Sequence, residues 1–256
     1  MKDLKDKLAV VTGGARGIGL AIAKKLAEEG SRVVLADINY DQAAESAKRL
    51  QETGAVCYPC KLDVSNVQEI EQFFRDLDEK YGKIDILIND AGIQIRNPSI
   101  NFLEKDWDRL MSINLKAVFF CSQQAALRMK GREGVIVNVS SGTSTQTTPG
   151  RAPYVISKAG VNALTAVLAS EWAQEHIRVN AVAPGWIMTE MLKDGMRIGI
   201  VSDKQLMSAI PMKRYATMDE IADAVVYLAS GNASYVTGQT LFVDGGWSSL
   251  GLPQDV

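Results

Sequence analysis

The sequence predicts an α/β fold of the Rossmann type: one doubly wound sheet of seven parallel strands, with helices on both faces. Short runs rich in Val, Ile and Leu alternate along the chain with longer segments of helical period. The short runs are apolar almost throughout, as expected of parallel strands that are buried on both faces. A glycine-rich segment at residues 12–19 follows the first run and opens the first helix.

The alternation extends through the whole chain. The predicted strands are 8–12, 32–37, 56–62, 84–88, 135–139, 178–182 and 240–243. The predicted helices are 17–29, 41–52, 67–81, 104–129, 153–174 and 219–230. No linker, charge block or internal repeat interrupts this pattern, so we expect residues 1–256 to form a single domain. The one sizeable irregular insertion, at about 189–211, is a candidate lid.

Composition and charge exclude several classes of protein. The 256 residues are 46% hydrophobic and 23% charged, which is typical of a globular chain. A net charge of -2 provides no basic surplus for a nucleic-acid partner. Residues 1–7 alternate in charge, and no run of about eighteen apolar residues occurs, so we expect neither a secretory signal nor membrane association. These patterns predict a cytoplasmic protein.

The cysteines and the single histidine do not indicate redox or metal chemistry. Cys57 and Cys60 have the spacing of a redox motif, but they lie on a predicted strand, where no helix N-terminus lowers the pKa of a thiol. We expect His176 on the surface at the end of a helix. No metal site is predicted.

The glycine-rich segment is a candidate dinucleotide site. Gly13, Gly17 and Gly19 lack side chains, so a pyrophosphate can approach backbone N–H groups at the positive end of a helix dipole. Their spacing differs from the commoner fingerprint, and a merely tight turn is the alternative. Asp37, at the end of the second strand, is well placed to accept hydrogen bonds from the adenosine ribose hydroxyls.

The choice between NAD and NADP depends on two charged residues. Asp37 would repel a 2′-phosphate, whereas Arg16 in the glycine segment could pair with one. We predict NAD, with NADP as the alternative, because an unpaired like-charge contact costs more than a solvated arginine. Asp63, followed by Val64, is a candidate for binding the adenine amino group; capping of the next helix is its alternative.

Tyr154 and Lys158 carry the predicted chemistry. They lie four residues apart on a helix and therefore on one face. The lysine ammonium favours the phenolate form of tyrosine, which can then shuttle a proton. Since many helices carry such a pair, its spacing alone is weak support.

From about residue 8 to 246 the chain resembles the short-chain dehydrogenase/reductase family. The glycine segment, Asn114, Ser141 and the Tyr154–Lys158 pair match the family's motifs in order. Further matches are Asn89-Asp90-Ala91-Gly92, Pro184-Gly185, Thr189 and the run 243–246. Asp90 departs from the family's asparagine, which we expect to affect local packing more than chemistry. Ser140 is a near neighbour that could be confused with Ser141.

The resemblance implies roles for these residues. Ser141 would hydrogen-bond the substrate oxygen, Tyr154 would give or take its proton, and Lys158 would bind the nicotinamide ribose. Asn114 would hold a water that links Lys158 to solvent. The implied cofactor contacts are Gly13, Arg16, Gly17, Ile18, Gly19, Asp37, Asp63, Val64, Asn89, Ala91, Gly92, Tyr154, Lys158, Pro184, Gly185, Ile187 and Thr189.

The substrate pocket should form from the segments after Gly92, Ser141 and Thr189, because ligands bind beyond the carboxyl ends of parallel strands. Its candidate residues are Gln94, Arg96, Ser141, Thr143, Tyr154 and Trp186. Arg96 could anchor a carboxylate or could be a solvated rim residue. The run 89–107 resembles sugar-acid and polyol dehydrogenases such as the gluconate 5-dehydrogenases.

Three functions therefore stay open. The leading one is an NAD-dependent oxidoreductase that interconverts a secondary alcohol and a ketone on a sugar, polyol or sugar acid. An NADPH-dependent 3-oxoacyl-(acyl-carrier-protein) reductase is the alternative, and a catalytically idle binding subunit is the third.

The resemblance also implies a homotetramer that buries helices 104–129 and 153–174 against symmetry mates. Small residues at Ala159, Ala163, Ala166 and Ser170 favour such contact, although this stripe could instead face the sheet. We expect residues 247–256 to pack across a subunit boundary.

Overall fold

The computed structural model describes residues 3–147, 149–197 and 202–250. The strands are β1 (Leu8–Thr12), β2 (Arg32–Asp37), β3 (Cys57–Lys61), β4 (Ile86–Asn89), β5 (Gly134–Val139), β6 (Ile177–Pro184) and β7 (Thr240–Val243). The helices are α1 (Gly17–Glu28), α2 (Tyr40–Gln51), α3 (Val67–Tyr81), α4 (Glu104–Met111), α5 (Ala117–Met129), α6 (Ala152–Trp172), α7 (Glu190–Arg197), α8 (Asp203–Ala209) and α9 (Met218–Ala229).

All seven strands form one parallel sheet in the order β3-β2-β1-β4-β5-β6-β7, so the predicted fold class is confirmed. Successive side chains of β1 enter different cores: Val11 packs with α1 and α9 on one face, and Val10 packs with α3 and α5 on the other. The strand order reverses between β1 and β4, which opens a crevice at the carboxyl ends of these strands.

Two segments differ from the prediction. The helix predicted over 104–129 is interrupted by a π-helical turn, Ser112–Lys116, which separates α4 from α5. The insertion predicted to be irregular contains α7 and α8, while residues 198–201 lie outside the described part. Most other boundaries agree within two residues. Among the described helices, none is both long and apolar enough to cross a membrane.

A buried polar chain ties the centre of the sheet to its covering helices. The Asn89 amide nitrogen donates to Ser122 Oγ at 3.0 Å and to Asn138 Oδ1 at 2.9 Å. Asn138 in turn donates to Thr165 Oγ1 at 2.9 Å. These side chains satisfy one another where water is excluded, so they fix β4 and β5 relative to α5 and α6.

Asn138→Ala tests this polar chain. The substitution deletes two buried hydrogen bonds and leaves the Asn89 amide and the Thr165 hydroxyl with fewer partners. We expect the free energy of unfolding to fall by about 2–4 kcal/mol. Urea unfolding followed by circular dichroism measures the change. Asn101→Ala, at an exposed position, is the control and should change stability by less than about 0.5 kcal/mol; similar small losses in both variants would contradict the role of the network.

Candidate active site

A cavity of about 710 Å³ lies at the carboxyl ends of the strands, over the point where their order reverses. Most of the predicted site residues line it. They are Gly13, Arg16, Gly17, Ile18, Asp37, Asp63, Val64, Ala91, Gly92, Gln94, Arg96, Ser141, Thr143, Tyr154, Lys158, Pro184, Gly185, Trp186, Ile187 and Thr189. The fold thus brings residues that are distant along the chain together in one cavity.

The glycine loop between β1 and α1 packs tightly on one side and is open on the other. Gly13 and Gly17 have positive φ angles of 68° and 61°, which side chains rarely adopt. A Cβ on Gly19 would lie 2.4 Å from the Gly13 carbonyl oxygen, whereas a Cβ on Gly17 would meet nothing within 4 Å. The loop therefore presents bare backbone and a helix N-terminus to the cavity, which fits a dinucleotide pyrophosphate.

The two carboxylates after β2 and β3 have different surroundings. Asp37 accepts hydrogen bonds from the backbone N–H groups of Ala15 and Asn39, at 3.1 and 3.0 Å. These bonds fix the carboxylate beside the glycine loop, while Arg16 is exposed at the cavity edge. One Asp63 oxygen holds the backbone and hydroxyl of Ser65. The helix cap of α3 is Asn66, so the capping alternative for Asp63 is wrong.

Tyr154 and Ser141 meet on the cavity wall. Tyr154 lies in the first turn of α6, and Ser141 follows β5. Burial raises the pKa of the Tyr154 phenol, while the Ser141 hydroxyl beside it and the charge of Arg151 lower this pKa. A phenol and a hydroxyl in this arrangement can share one substrate oxygen.

The structure separates the two neighbouring serines. The Ser140 hydroxyl is buried and donates to the Lys158 carbonyl oxygen at 3.1 Å and to Asn162 Oδ1 at 2.6 Å. Ser141 Oγ instead accepts the Thr143 N–H at 3.2 Å and lies 2.9 Å from the Thr143 hydroxyl oxygen. Ser140 thus anchors α6 to β5, and Ser141 is the one whose hydroxyl lies beside the phenol.

Lys158 and Asp90 both line the cavity and interact through their opposite charges. Lys158 Nζ donates to the Val139 carbonyl oxygen at 2.7 Å. Burial lowers the pKa of Lys158, and the charge of Asp90 raises it. Burial raises the pKa of Asp90, which Lys158 and the Gly19 N–H partly counteract. Asp90 therefore lies against Gly19 and also interacts electrostatically with Lys158.

Three predicted positions, Gly19, Asn89 and Asn114, lie behind the cavity and do not line it. Asn89 belongs to the buried polar chain, and Gly19 is packed under Gly13. Asn114 sits in the π-helical turn, where its amide accepts the Ile93 N–H and donates to the Ile93 carbonyl oxygen, both at 2.9 Å. These two hydrogen bonds hold the loop after β4 in place.

The substrate end contains residues that the sequence prediction did not assign. Gln94, Arg96, Thr143 and Trp186 line this end as predicted. Arg109, Arg151 and Trp247 line the cavity as well. Trp247 packs on Trp186 of the same chain with ring centroids 5.4 Å apart. Its position at a subunit boundary stays a prediction, and residues 251–256 of that predicted contact lie outside the described residues.

The remaining candidate groups lie away from this cavity. Burial raises the pKa of Cys57 to about 12 and also raises that of Cys60, which leaves both thiols protonated. His176 is exposed just beyond α6. Within the described ranges, no three His, Cys, Asp or Glu side chains cluster as metal ligands would.

Comparison with known proteins agrees with this architecture. A family model described as enoyl-(acyl carrier protein) reductase matches residues 13–248. The 3-oxoacyl-(acyl-carrier-protein) reductase of Staphylococcus epidermidis is 38% identical over 249 residues, which are 94% of this chain and 98% of that protein. The gluconate 5-dehydrogenase of Gluconobacter oxydans is 39% identical over 249 residues, 95% of each chain.

A solved structure is similar over nearly the whole length. The gluconate 5-dehydrogenase of Burkholderia cenocepacia, in complex with NADP and tartrate, superposes with a TM-score of 0.92 at 37% identity and 96% coverage of each chain. The chain belongs to the short-chain dehydrogenase/reductase family. It is an NAD(P)-dependent oxidoreductase.

Asp90→Asn tests the charge under the site, because the carboxylate of Asp90 raises the pKa of Tyr154. If Tyr154 acts as the base, alcohol oxidation slows as the pH falls through its pKa. Removing the charge should lower that pKa and move the acidic limb of the kcat/KM profile to lower pH. An unmoved limb would show that Asp90 does not act on the phenol; a shift to higher pH would contradict the expected direction.

Proposed function

We propose that the protein is an NAD-dependent dehydrogenase that interconverts a secondary alcohol and a ketone on a small polar molecule, a sugar, polyol or sugar acid. The observation that carries this proposal is the meeting of Tyr154, Ser141 and Lys158 at one end of a cavity whose other end is the glycine loop. When bound, the nicotinamide supplies or accepts the hydride.

Residues of α6 and of the loop after β5 carry out the proton transfer. Ser141 Oγ donates a hydrogen bond to the substrate oxygen. In oxidation the Tyr154 phenolate takes the hydroxyl proton of the alcohol, and in reduction the Tyr154 phenol gives a proton to the carbonyl oxygen. The Lys158 ammonium binds the nicotinamide ribose and stabilises the phenolate through its charge. Asn114 supports this end by holding Ile93, and the water that it would bind links Lys158 to solvent.

The glycine loop, Asp37 and Asp63 hold the cofactor. Asp37 would accept hydrogen bonds from the adenosine ribose, and its charge favours NAD over NADP. Arg16, which also lines the cavity, is the residue that could pair with a 2′-phosphate, and the Burkholderia relative binds NADP in its solved complex.

The acyl-carrier-protein reductase remains the second candidate, since the Staphylococcus relative bears that name. Asp37 argues against its cofactor, NADPH. The intact Ser141, Tyr154 and Lys158 argue against a catalytically idle binding subunit.

Tyr154→Phe should lower turnover by at least about 100-fold, because the ring still packs but cannot carry the proton. Cofactor affinity should stay within a few-fold. Initial rates and cofactor titration by fluorescence measure both quantities. Tyr235→Phe, at a fully exposed tyrosine, is the matched control. Activity of the Tyr154 variant within tenfold of the parent would refute the assignment.

Asp37→Ala should narrow the preference for NAD over NADP by roughly tenfold or more, since the repulsion of the 2′-phosphate is removed. The ratio of kcat/KM values for the two cofactors is the readout. Asp41→Ala, an exposed carboxylate on α2, controls for a general change in charge. An unchanged ratio, or a parent enzyme that already prefers NADP, would mean that Arg16 dominates.

We further propose a homotetramer. The stripe on α6 does not face the sheet, because Ala163, Ala166 and Ser170 are exposed and Val167 is 53% exposed among them. Leu127 on α5 is 64% exposed and Ile156 on α6 is 46% exposed. Burial of such a surface against a symmetry mate fits a closed assembly with two-fold axes.

Sedimentation equilibrium at micromolar concentration tests the assembly. We expect four times the chain mass of 27.8 kDa. A mass of one chain would contradict the proposal. A mass of two chains would show that only one of the two expected interfaces forms.

A further inference from the structure

Arg151 is largely buried, and its guanidinium group faces the cavity without an acceptor among the described residues. Arg151 is 6% exposed, and its guanidinium carbon lies 5.2 Å from the centroid of the Trp186 ring. No described carboxylate or carbonyl oxygen bonds to this guanidinium. Burial first, and then the charge of Arg96, lower the pKa of Arg151 to about 10. A largely desolvated cation without a counter-ion is unfavourable, so the cavity at this point favours an anionic ligand.

Two further donors at this end also lack a partner. Among the described residues, three buried side-chain polar atoms have no hydrogen bond, and two of them are Gln94 Nε2 and Trp186 Nε1. Both residues line the same cavity as Arg151 and Tyr154. Amide nitrogen and indole nitrogen can only donate, so what satisfies them must be an acceptor.

Backbone pairing holds the two arginines near each other. The Asn97 N–H donates to the Gly150 carbonyl oxygen at 3.1 Å, which joins the loop after β4 to the loop before α6. Each of these residues is the chain neighbour of an arginine, Arg96 or Arg151. Arg151 also lies three residues before Tyr154 and lowers the pKa of its phenol, so it is close to the reacting end.

We propose that Arg151, together with Arg96, Gln94 and Trp186, binds a carboxylate of the substrate. The planar guanidinium matches a carboxylate, and the two orphaned N–H donors complete its coordination. The substrate is then an organic acid whose carboxylate lies near the carbon that reacts. A neutral polyol would leave the buried charge unpaired, and an apolar acyl chain would do so at greater cost. This inference rests on the proposed function, because it concerns the substrate of the same site.

Calorimetric titration with D-gluconate and D-sorbitol tests the proposal, since the two probes share a six-carbon polyhydroxy skeleton and differ by the carboxylate. The full chain is titrated with and without saturating NADH. Neither arm contains the oxidised cofactor, so neither probe is oxidised. We expect gluconate to bind at least about 30-fold more tightly than sorbitol. Equal affinities, or no binding of gluconate, would overturn the proposal.

Variants identify the residue responsible. Arg151→Met should weaken gluconate binding by about 30-fold or more and leave sorbitol and NADH binding unchanged. A stacking role alone would not separate the charged probe from the neutral one. Arg151→Lys keeps the charge and should lose less affinity for gluconate than Arg151→Met. This variant provides the comparison if the Met variant folds poorly. Arg75→Met, exposed on α3, is the matched control. Unchanged gluconate affinity in Arg151→Met would refute the assignment.

The outcome is separable from that of the proposed function, because binding requires no turnover. A protein that binds gluconate through Arg151 but oxidises no alcohol would contradict the proposed reaction and leave the anion site standing. A dehydrogenase that binds both probes with equal affinity would support the proposed reaction and contradict the anion site.

Discussion

All seven strands run parallel, so every loop that leaves a strand at its carboxyl end emerges at one edge of the sheet. This constraint determines the site. Helices must cover both faces, so the chain reverses its winding direction between β1 and β4 and leaves a crevice there. The glycine loop, Asp37 and the loop after β4 flank this crevice on one side. Ser141, Tyr154 and the loop after β6 flank it on the other.

Charge is distributed unevenly along the crevice. The carboxylates that line it, Asp37, Asp63 and Asp90, follow β2, β3 and β4. The guanidinium groups of Arg96 and Arg151 lie at the end beside Tyr154. Arg109 lines the same cavity, and Arg16 lies in the glycine loop. Such a distribution favours a ribose with free hydroxyls at the first end and an anion at the second. The charge of Asp90 raises the pKa of both the Tyr154 phenol and the Lys158 ammonium.

The sequence predicts what depends on neighbours along the chain. Apolar runs define the strands, the glycine segment follows one of them, and Tyr154 and Lys158 share a helical face. The π-helical turn was not predictable, because it depends on Asn114 meeting the backbone of Ile93. Ser140 and Ser141 are adjacent, and only their contacts distinguish them. The hydrogen bond between Asn97 and Gly150 joins the segments of Arg96 and Arg151 although they lie more than fifty residues apart, which no local pattern indicates.

A crystal structure of the protein with NAD⁺ tests the central claim most directly, namely that one crevice binds the cofactor in a single direction. The account predicts a pyrophosphate against residues 13–19, an adenosine ribose hydrogen-bonded to Asp37 and a nicotinamide ring beside Tyr154. A nicotinamide at Asp37 would contradict it. So would a cofactor in the second cavity, of about 560 Å³, at the amino ends of β4, β5 and β6.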